Sequence, residues 1–159
     1  MLDQKMLREI ELFLFEEARL LDSGDFEGWL KLYEPHGIYW MPSKPGQTDP
    51  LNVASIIYED HGILSIRVQR LLEERALVLT PMPRTTHLVG NIVAEAKGED
   101  EFAASAVFIC VVHQGEKQRL YSGRHSYELS RGAEGFRIKL KRVDLMNSDA
   151  THTPITIPL

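Results

Sequence analysis

The 159-residue sequence contains one cysteine, Cys110. A single thiol excludes an intramolecular disulfide framework, a Cys-based zinc site and an iron–sulfur cluster held by this chain alone. No apolar run approaches the ~20 residues of a membrane span. The first residues, Met1-Leu2-Asp3-Gln4-Lys5, carry no basic segment feeding a long apolar stretch, so no secretory signal is expected. Positive charge is in the minority: 18 Lys and Arg stand against 23 Asp and Glu, a formal balance of −5. Such a chain lacks the broad basic field that nucleic acid or an anionic membrane requires, so neither is an expected partner. There is no Gly-x-Ser-x-Gly elbow, no phosphate-cradling Gly-rich loop and no dinucleotide fingerprint. The reduced cytoplasm is the expected location.

What is present is the composition of an ordinary globular protein, 43% hydrophobic and 26% charged. At roughly 150 residues per domain the length predicts one domain over 1–159. A chain of this size hides about 70% of the surface its unfolded form exposes, enough for a core of its own. Cys110 lies in Val107-Phe108-Ile109-Cys110-Val111-Val112 and reads as a buried small hydrophobe rather than a nucleophile.

The period of the apolar residues changes along the chain. Leu7, Ile10, Leu14, Ala18 and Leu21 recur at steps of three and four, which predicts a helix ended by Ser23-Gly24. Asp25 is the expected N-cap of a short second helix with Phe26, Trp29, Leu30 and Tyr33 as its apolar face. Ile38, Tyr39 and Trp40 centre a strand over 36–41, and Ile56-Ile57-Tyr58 reads as a short strand. Ile63, Leu64, Val68, Leu71 and Leu72 predict a third helix over 60–72, with Asp60 at its start. Pro81 and Pro83 bracket a loop. Beyond it the period falls to 2, and strands are expected over 85–96, 101–113, 119–129 and 136–145, joined by short turns as an antiparallel meander. The strand 101–113 is apolar on both faces, which predicts a central position. The economical assembly is an α+β roll or cone: a curved antiparallel or mixed sheet with about three N-terminal helices packed across one face.

Six histidines, His36, His61, His87, His113, His125 and His152, stand at no strong metal-ligand spacing, so no metal site is expected. His87 enters a predicted strand behind Pro83. It reads either as a general base in a pocket or as a hydrogen-bonding residue that fixes the turn into the strand. Asp22, Asp25, Tyr39, Tyr58, Tyr121 and Tyr127 could complete an acid–base site on the concave face, but their spacing does not make them converge. Arg137, Lys139, Lys141 and Arg142 form the one basic concentration. By alternation Arg137, Lys139 and Lys141 share a strand face, either solvated or a docking surface for an acidic partner.

Several blocks in a fixed order resemble a known family. They are Glu17-Ala18-Arg19-Leu20-Leu21-Asp22, Phe26 with Trp29-Leu30, Tyr39-Trp40-Met41-Pro42, and Tyr58-Glu59-Asp60 leading to Arg67-Val68-Gln69-Arg70-Leu71. The most telling is Pro83-Arg84-Thr85-Thr86-His87-Leu88-Val89 with Asn91-Ile92. Gly123-Arg124 and Lys141-Arg142-Val143-Asp144-Leu145-Met146-Asn147-Ser148-Asp149 complete the set. Together they resemble the small (β) subunit of bacterial aromatic-ring-hydroxylating dioxygenases.

The resemblance implies the cone-like roll shared with nuclear transport factor 2 (NTF2-like). It implies a non-catalytic small subunit paired with a large (α) subunit, commonly as α3β3, with trimers centred on the small subunits. That large subunit would carry the Rieske 2Fe-2S cluster and the mononuclear iron, fed from NAD(P)H through a separate reductase. No catalytic, cofactor or metal residue is then expected on this chain. Trp40, Arg84, His87, Asn91, Arg124, Lys139, Lys141 and Arg142 become structural or interface candidates. Glu34-Pro35-His36-Gly37 and His125-Ser126-Tyr127-Glu128 depart from the family pattern, which leaves the substrate open. The alternatives are a stand-alone isomerase or dehydratase of the same roll and a binding module for a small ligand. They are separated from the first reading by what fills the concave side around Trp40, Tyr58, His87 and Phe108.

Overall fold

The computed structural model describes residues 2–77, 82–147, 155 and 157–159. The elements run α1 (Gln4–Ser23), α2 (Phe26–Leu30), β1 (Tyr33–Pro42), β2 (Ser55–Asp60), α3 (His61–Leu77), β3 (Arg84–Gly98), β4 (Glu101–Gln114), β5 (Lys117–Gly132) and β6 (Gly135–Leu145). Pro81, Ser148, Asp149 and His152 lie outside the described residues.

Local chemistry fixes the helix ends. The Asp3 carboxylate accepts the Met6 N–H at 2.7 Å, satisfying one of the free donors of the first turn of α1. Gly24 ends α1 in the left-handed region, φ 75°, where a side chain would be strained. Asp25 caps α2 by accepting the Gly28 N–H at 2.9 Å, and Asp60 caps α3 through the Ile63 N–H at 3.0 Å. The second helix is shorter than its periodicity suggests. Tyr33 is the first residue of β1, where it pairs with Ile138, rather than the last of a helical face.

One sheet holds all six strands in the order β2-β1-β6-β5-β4-β3. Strands β3 to β6 form the expected antiparallel meander. β1 is antiparallel to β2 but parallel to β6, so the sheet is mixed. Helices α1 and α3 pack across one face, over β3 and β1 respectively, and the core lies between helices and sheet. Trp29, Phe108, Leu64, Ile10, Leu14, Leu129 and Ile138 are fully enclosed there.

Two bulges set what the sheet presents. In β6 the register passes from Leu129↔Ile138 to Glu128↔Leu140, so Lys139 is an extra residue. Both Ile138 and Lys141 consequently point into the core, although they are three residues apart. Simple alternation had put Lys141 on a shared basic face with Arg137 and Lys139. The bulge removes it from that face. In β3 the register slips between Gly90 and Val93, and Asn91 there adopts φ 50°.

The central position expected for 101–113 holds only in part. β4 is laddered on both sides, but its outer face is incompletely covered and Ile109 remains 42% exposed.

Candidate functional site

The interior contains a closed polar network. Its centre is Glu17, which occupies a step of the apolar stripe Ile10, Leu14, Glu17, Leu21 and is therefore carried inward by α1. Lys141 Nζ donates to Glu17 Oε2 at 2.6 Å, and both side chains are buried. The Trp29 indole N–H donates to the same oxygen at 2.9 Å, and Tyr127 Oη donates to Glu17 Oε1 at 2.6 Å. Lys141 also donates to the backbone oxygen of Leu159 at 2.8 Å, whose own N–H donates to Tyr39 Oη at 3.0 Å. The rings of Tyr39 and Tyr127 flank the ammonium at 5.9 and 5.8 Å. A buried ion pair tolerates its desolvation only when such bonds satisfy the remaining lone pairs and protons.

His125 extends the network. Its Nδ1 lies 3.3 Å from Tyr127 Oη, and its ring stacks on Phe108 at 4.0 Å. Because the tyrosine proton is directed at Glu17, Nδ1 is the protonated nitrogen and Nε2 a buried acceptor without a partner. Burial, and then the charge of Lys141, hold the His125 imidazole well below its ordinary pKa. Burial also lowers Lys141, against the opposing pull of Glu17, and raises the Tyr127 phenol.

A second cluster joins the end of α1 to the start of β3. Asp22 Oδ1 lies 2.6 Å from His87 Nδ1 and accepts the Thr85 hydroxyl at 2.9 Å, while Oδ2 accepts the His87 N–H at 2.8 Å. Partial burial raises the Asp22 carboxyl, but the bonds from His87 and Thr85 outweigh it and the pKa is lowered. Cys110 Sγ stands 3.9 Å from His87 Nδ1. Burial, with the Asp22 charge behind it, pushes the thiol up to about 12, so it is no nucleophile at neutral pH. His87 Nε2 is buried without a partner. Asp22 and Thr85 line a surface cleft of about 220 Å³ together with Arg84.

The opposite, outer face of the sheet holds most of the other candidates. Trp40 and Tyr58 meet edge to face there, at 6.2 Å, and not in the concave interior with His87 and Phe108. Arg142 lies over the Trp40 ring at 4.5 Å and pairs with Asp144 at 2.8 Å. Trp40 Nε1 donates to Ser55 Oγ at 2.9 Å. Lys139 is bound by Glu101 at 3.1 Å, which raises its pKa. Arg84, Asn91 and Arg124 are exposed, and neither arginine has an ion pair among the described residues. Between them lies an apolar patch: Leu88 is 70% and Leu120 66% exposed, with Ile109 between.

Other motif residues have structural partners. Arg67 Nε donates to Glu59 Oε2 at 2.8 Å, tying α3 to β2. His36 is exposed, and His61 and His113 are partly exposed in separate elements. Among the described residues no three His, Cys, Asp or Glu side chains are grouped to hold a metal ion. Sequence reasoning missed Glu17, Trp29 and Tyr127 as one constellation. The legible signal was a lone carboxylate at a buried step of the α1 stripe.

The roll, its packed interior and its patterned outer face define a class. The model of the ring hydroxylating beta subunit family matches residues 16–151. The chain belongs to that family, the small subunits of aromatic-ring-hydroxylating dioxygenases. The 2-halobenzoate 1,2-dioxygenase small subunit of Burkholderia cepacia is 33% identical over 154 residues, covering 94% of this chain and 93% of the relative. The beta subunit of benzoate 1,2-dioxygenase from Burkholderia mallei superposes with a TM-score of 0.77 at 26% identity, over 96% of each chain. A naphthalene 1,2-dioxygenase structure with indole in its active site shares the fold, with a TM-score of 0.86 at 18% identity over 100% of this chain and 88% of that one. The fold is the NTF2-like roll. Membership as a small subunit implies a large-subunit partner.

Proposed function

We propose that this chain, one domain over 1–159, is the non-catalytic small subunit of a multicomponent Rieske-type dioxygenase and supports assembly of its iron-containing large subunit. The observation that carries the reading is a contrast between the two sides of the sheet. The concave side is filled by core side chains and the Glu17–Lys141 network, leaving the acid–base candidates Tyr39 and Tyr127 committed to internal bonds. The outer side exposes Leu88, Ile109 and Leu120 beside Arg84 and Arg124, an apolar patch with cationic margins suited to a protein partner. The Trp40–Arg142 stack continues the same face toward β1.

A Rieske cluster needs two Cys and two His, and this chain has one Cys. The cluster and the mononuclear iron accordingly belong to the large subunit, supplied with electrons from NAD(P)H by a separate reductase. The assembly is α3β3, with the small subunits in contact as a trimer, in the cytoplasm. The names of the relatives point to an aromatic carboxylate of the benzoate type as the substrate of the whole enzyme.

Co-expression with the large subunit tests the proposal. The two chains are expected to co-purify in equal numbers, and dioxygenase activity is expected only from the complex. Turnover by this chain alone, or a fully active large subunit without it, would overturn the reading.

A further inference from the structure

Two arginines on the outer face of the sheet differ in how they are held. Arg142 is fully engaged. Its guanidinium lies over the Trp40 ring at 4.5 Å, and its Nε and Nη2 donate to Asp144 Oδ2 and Oδ1 at 2.8 and 3.0 Å. Arg124 stands directly across the ladder from the same Asp144, yet its side chain is exposed and has no ion pair among the described residues. The fork of Arg142 has taken both oxygens of the one carboxylate beside it. The next carboxylate along β5 on this face is Glu128, four residues on and about 13 Å away.

On its other side Arg124 pairs with Val107 of β4. Alternation carries the same face of β4 from Val107 to Ile109, which stands opposite the exposed Leu88, and to Val111, which stands opposite the exposed Leu120. The guanidinium and the apolar patch are therefore contiguous, and a protein that covers the patch also takes water from Arg124. A guanidinium stripped of water needs an acceptor, and its planar fork matches a carboxylate.

We propose that Arg124 is the ionic anchor of the large-subunit interface. It takes, as a two-pronged pair, a carboxylate that the large subunit presents beside an apolar segment seated on Leu88, Ile109 and Leu120. This inference rests on the assembly reading above and adds the chemistry of the partner's surface. A second copy of this chain does not supply that chemistry. Packed patch to patch about a two-fold axis, it offers Arg124 either its own level, with Gly90, Val107 and the engaged Asp144, or the far margin, with Arg84, His113 and Gln118. Neither set holds a free carboxylate.

The test uses the complex of the two full chains. Arg124→Met removes the charge and keeps an apolar stem, while Arg124→Lys keeps the charge and loses the fork. Arg70→Met removes the same charge from the exposed side of α3 and is the control. Affinity for the large subunit is measured by biolayer interferometry at ~0.05 and ~0.5 M salt. Urea midpoints of the free chains establish that each variant is folded. Arg124→Met is expected to weaken binding by about ten-fold or more at low salt, a loss that shrinks at high salt. Arg124→Lys should fall between Arg124→Met and the unaltered chain, and Arg70→Met should match the unaltered chain. If Arg124→Met binds as the unaltered chain does, or Arg70→Met loses as much, the anchor is overturned and the assembly reading stands. If the unaltered chain does not bind the large subunit, that reading falls and takes the anchor with it. Analytical ultracentrifugation of the small subunit alone tests the rival occupant: self-association weakened by Arg124→Met would give the site to a second copy and overturn the assignment.

Discussion

Lys141 Nζ lies 2.6 Å from Glu17 Oε2, although the two residues are 124 positions apart and neither reaches solvent. The pair links the first helix to the last strand through the middle of the core. Tyr127 takes the second carboxylate oxygen and Trp29 shares the first. The network is a clasp whose members are matched to one another, which makes its parts unequal to its whole.

Lys141→Met is expected to destabilise the chain by about 3–5 kcal/mol, because it leaves the Glu17 carboxylate buried without its counter-charge. Changing both residues, Glu17→Gln with Lys141→Met, should cost less than Lys141→Met alone. Urea denaturation of the single and double variants gives the coupling energy directly. Simple additivity of the two substitutions would contradict the clasp.

Stability should fall as the solution is acidified below the ordinary histidine pKa. His125 is held well below 6.5 in the fold, so as pH drops the unfolded chain binds that proton first. Its contribution is complete above about pH 6.5 and declines by at most about 1.4 kcal/mol per pH unit beneath it. Asp22, lowered in the fold, acts the same way further down: its stabilisation is present above 3.8 and lost as pH falls through the folded value. Melting temperatures at pH 7.5 and 5.0 measure the effect, and His125→Phe should flatten the difference.

Gly123 has no room for a side chain. A Cβ there would stand 2.0 Å from the Asp144 carbonyl oxygen in the neighbouring strand β6. Backbone cannot swing aside as a side-chain tip can, so Gly123→Ala is expected to cost about 2–3 kcal/mol. Gly132→Ala on the same strand meets nothing within 4 Å and serves as the control, expected within about 0.5 kcal/mol of the unaltered chain.

The outer patch separates folding from assembly. Leu88→Glu and Leu120→Glu alter exposed side chains and should leave the urea midpoint of the free chain nearly unchanged. Each is expected to weaken association with the large subunit or with further copies at least ten-fold, read by analytical ultracentrifugation. Unchanged assembly would remove this face from the interface.

Much of the architecture was legible because the period of the apolar residues changes where the elements change. The α1 stripe, the Asp25 and Asp60 caps and the four-strand meander follow from spacing and turn chemistry alone. Tyr33 was misplaced because a helical face and the first step of a strand look alike over so short a run. The burial of Lys141 was invisible because one inserted residue, Lys139, reverses the alternation that assigns faces. Trp40 and Tyr58 were named with His87 and Phe108 around the concave side, yet aromatic residues also cover an outer face, as Trp40 does where the Arg142 guanidinium stacks on it. The Glu17 network depends on contacts between distant segments, which no local pattern encodes.

The parallel pairing of β1 with β6 has a consequence for synthesis. Residues 33–42 leave the ribosome long before residues 135–145, yet one edge of β1 has only β6 as its sheet neighbour. Non-local pairing of this kind delays the transition to the native state. The amino-terminal half must therefore wait, with an incomplete sheet and Glu17 without its Lys141 partner, until β6 has emerged. During that interval it is a natural client for chaperones, and its dependence on them should end abruptly when β6 docks.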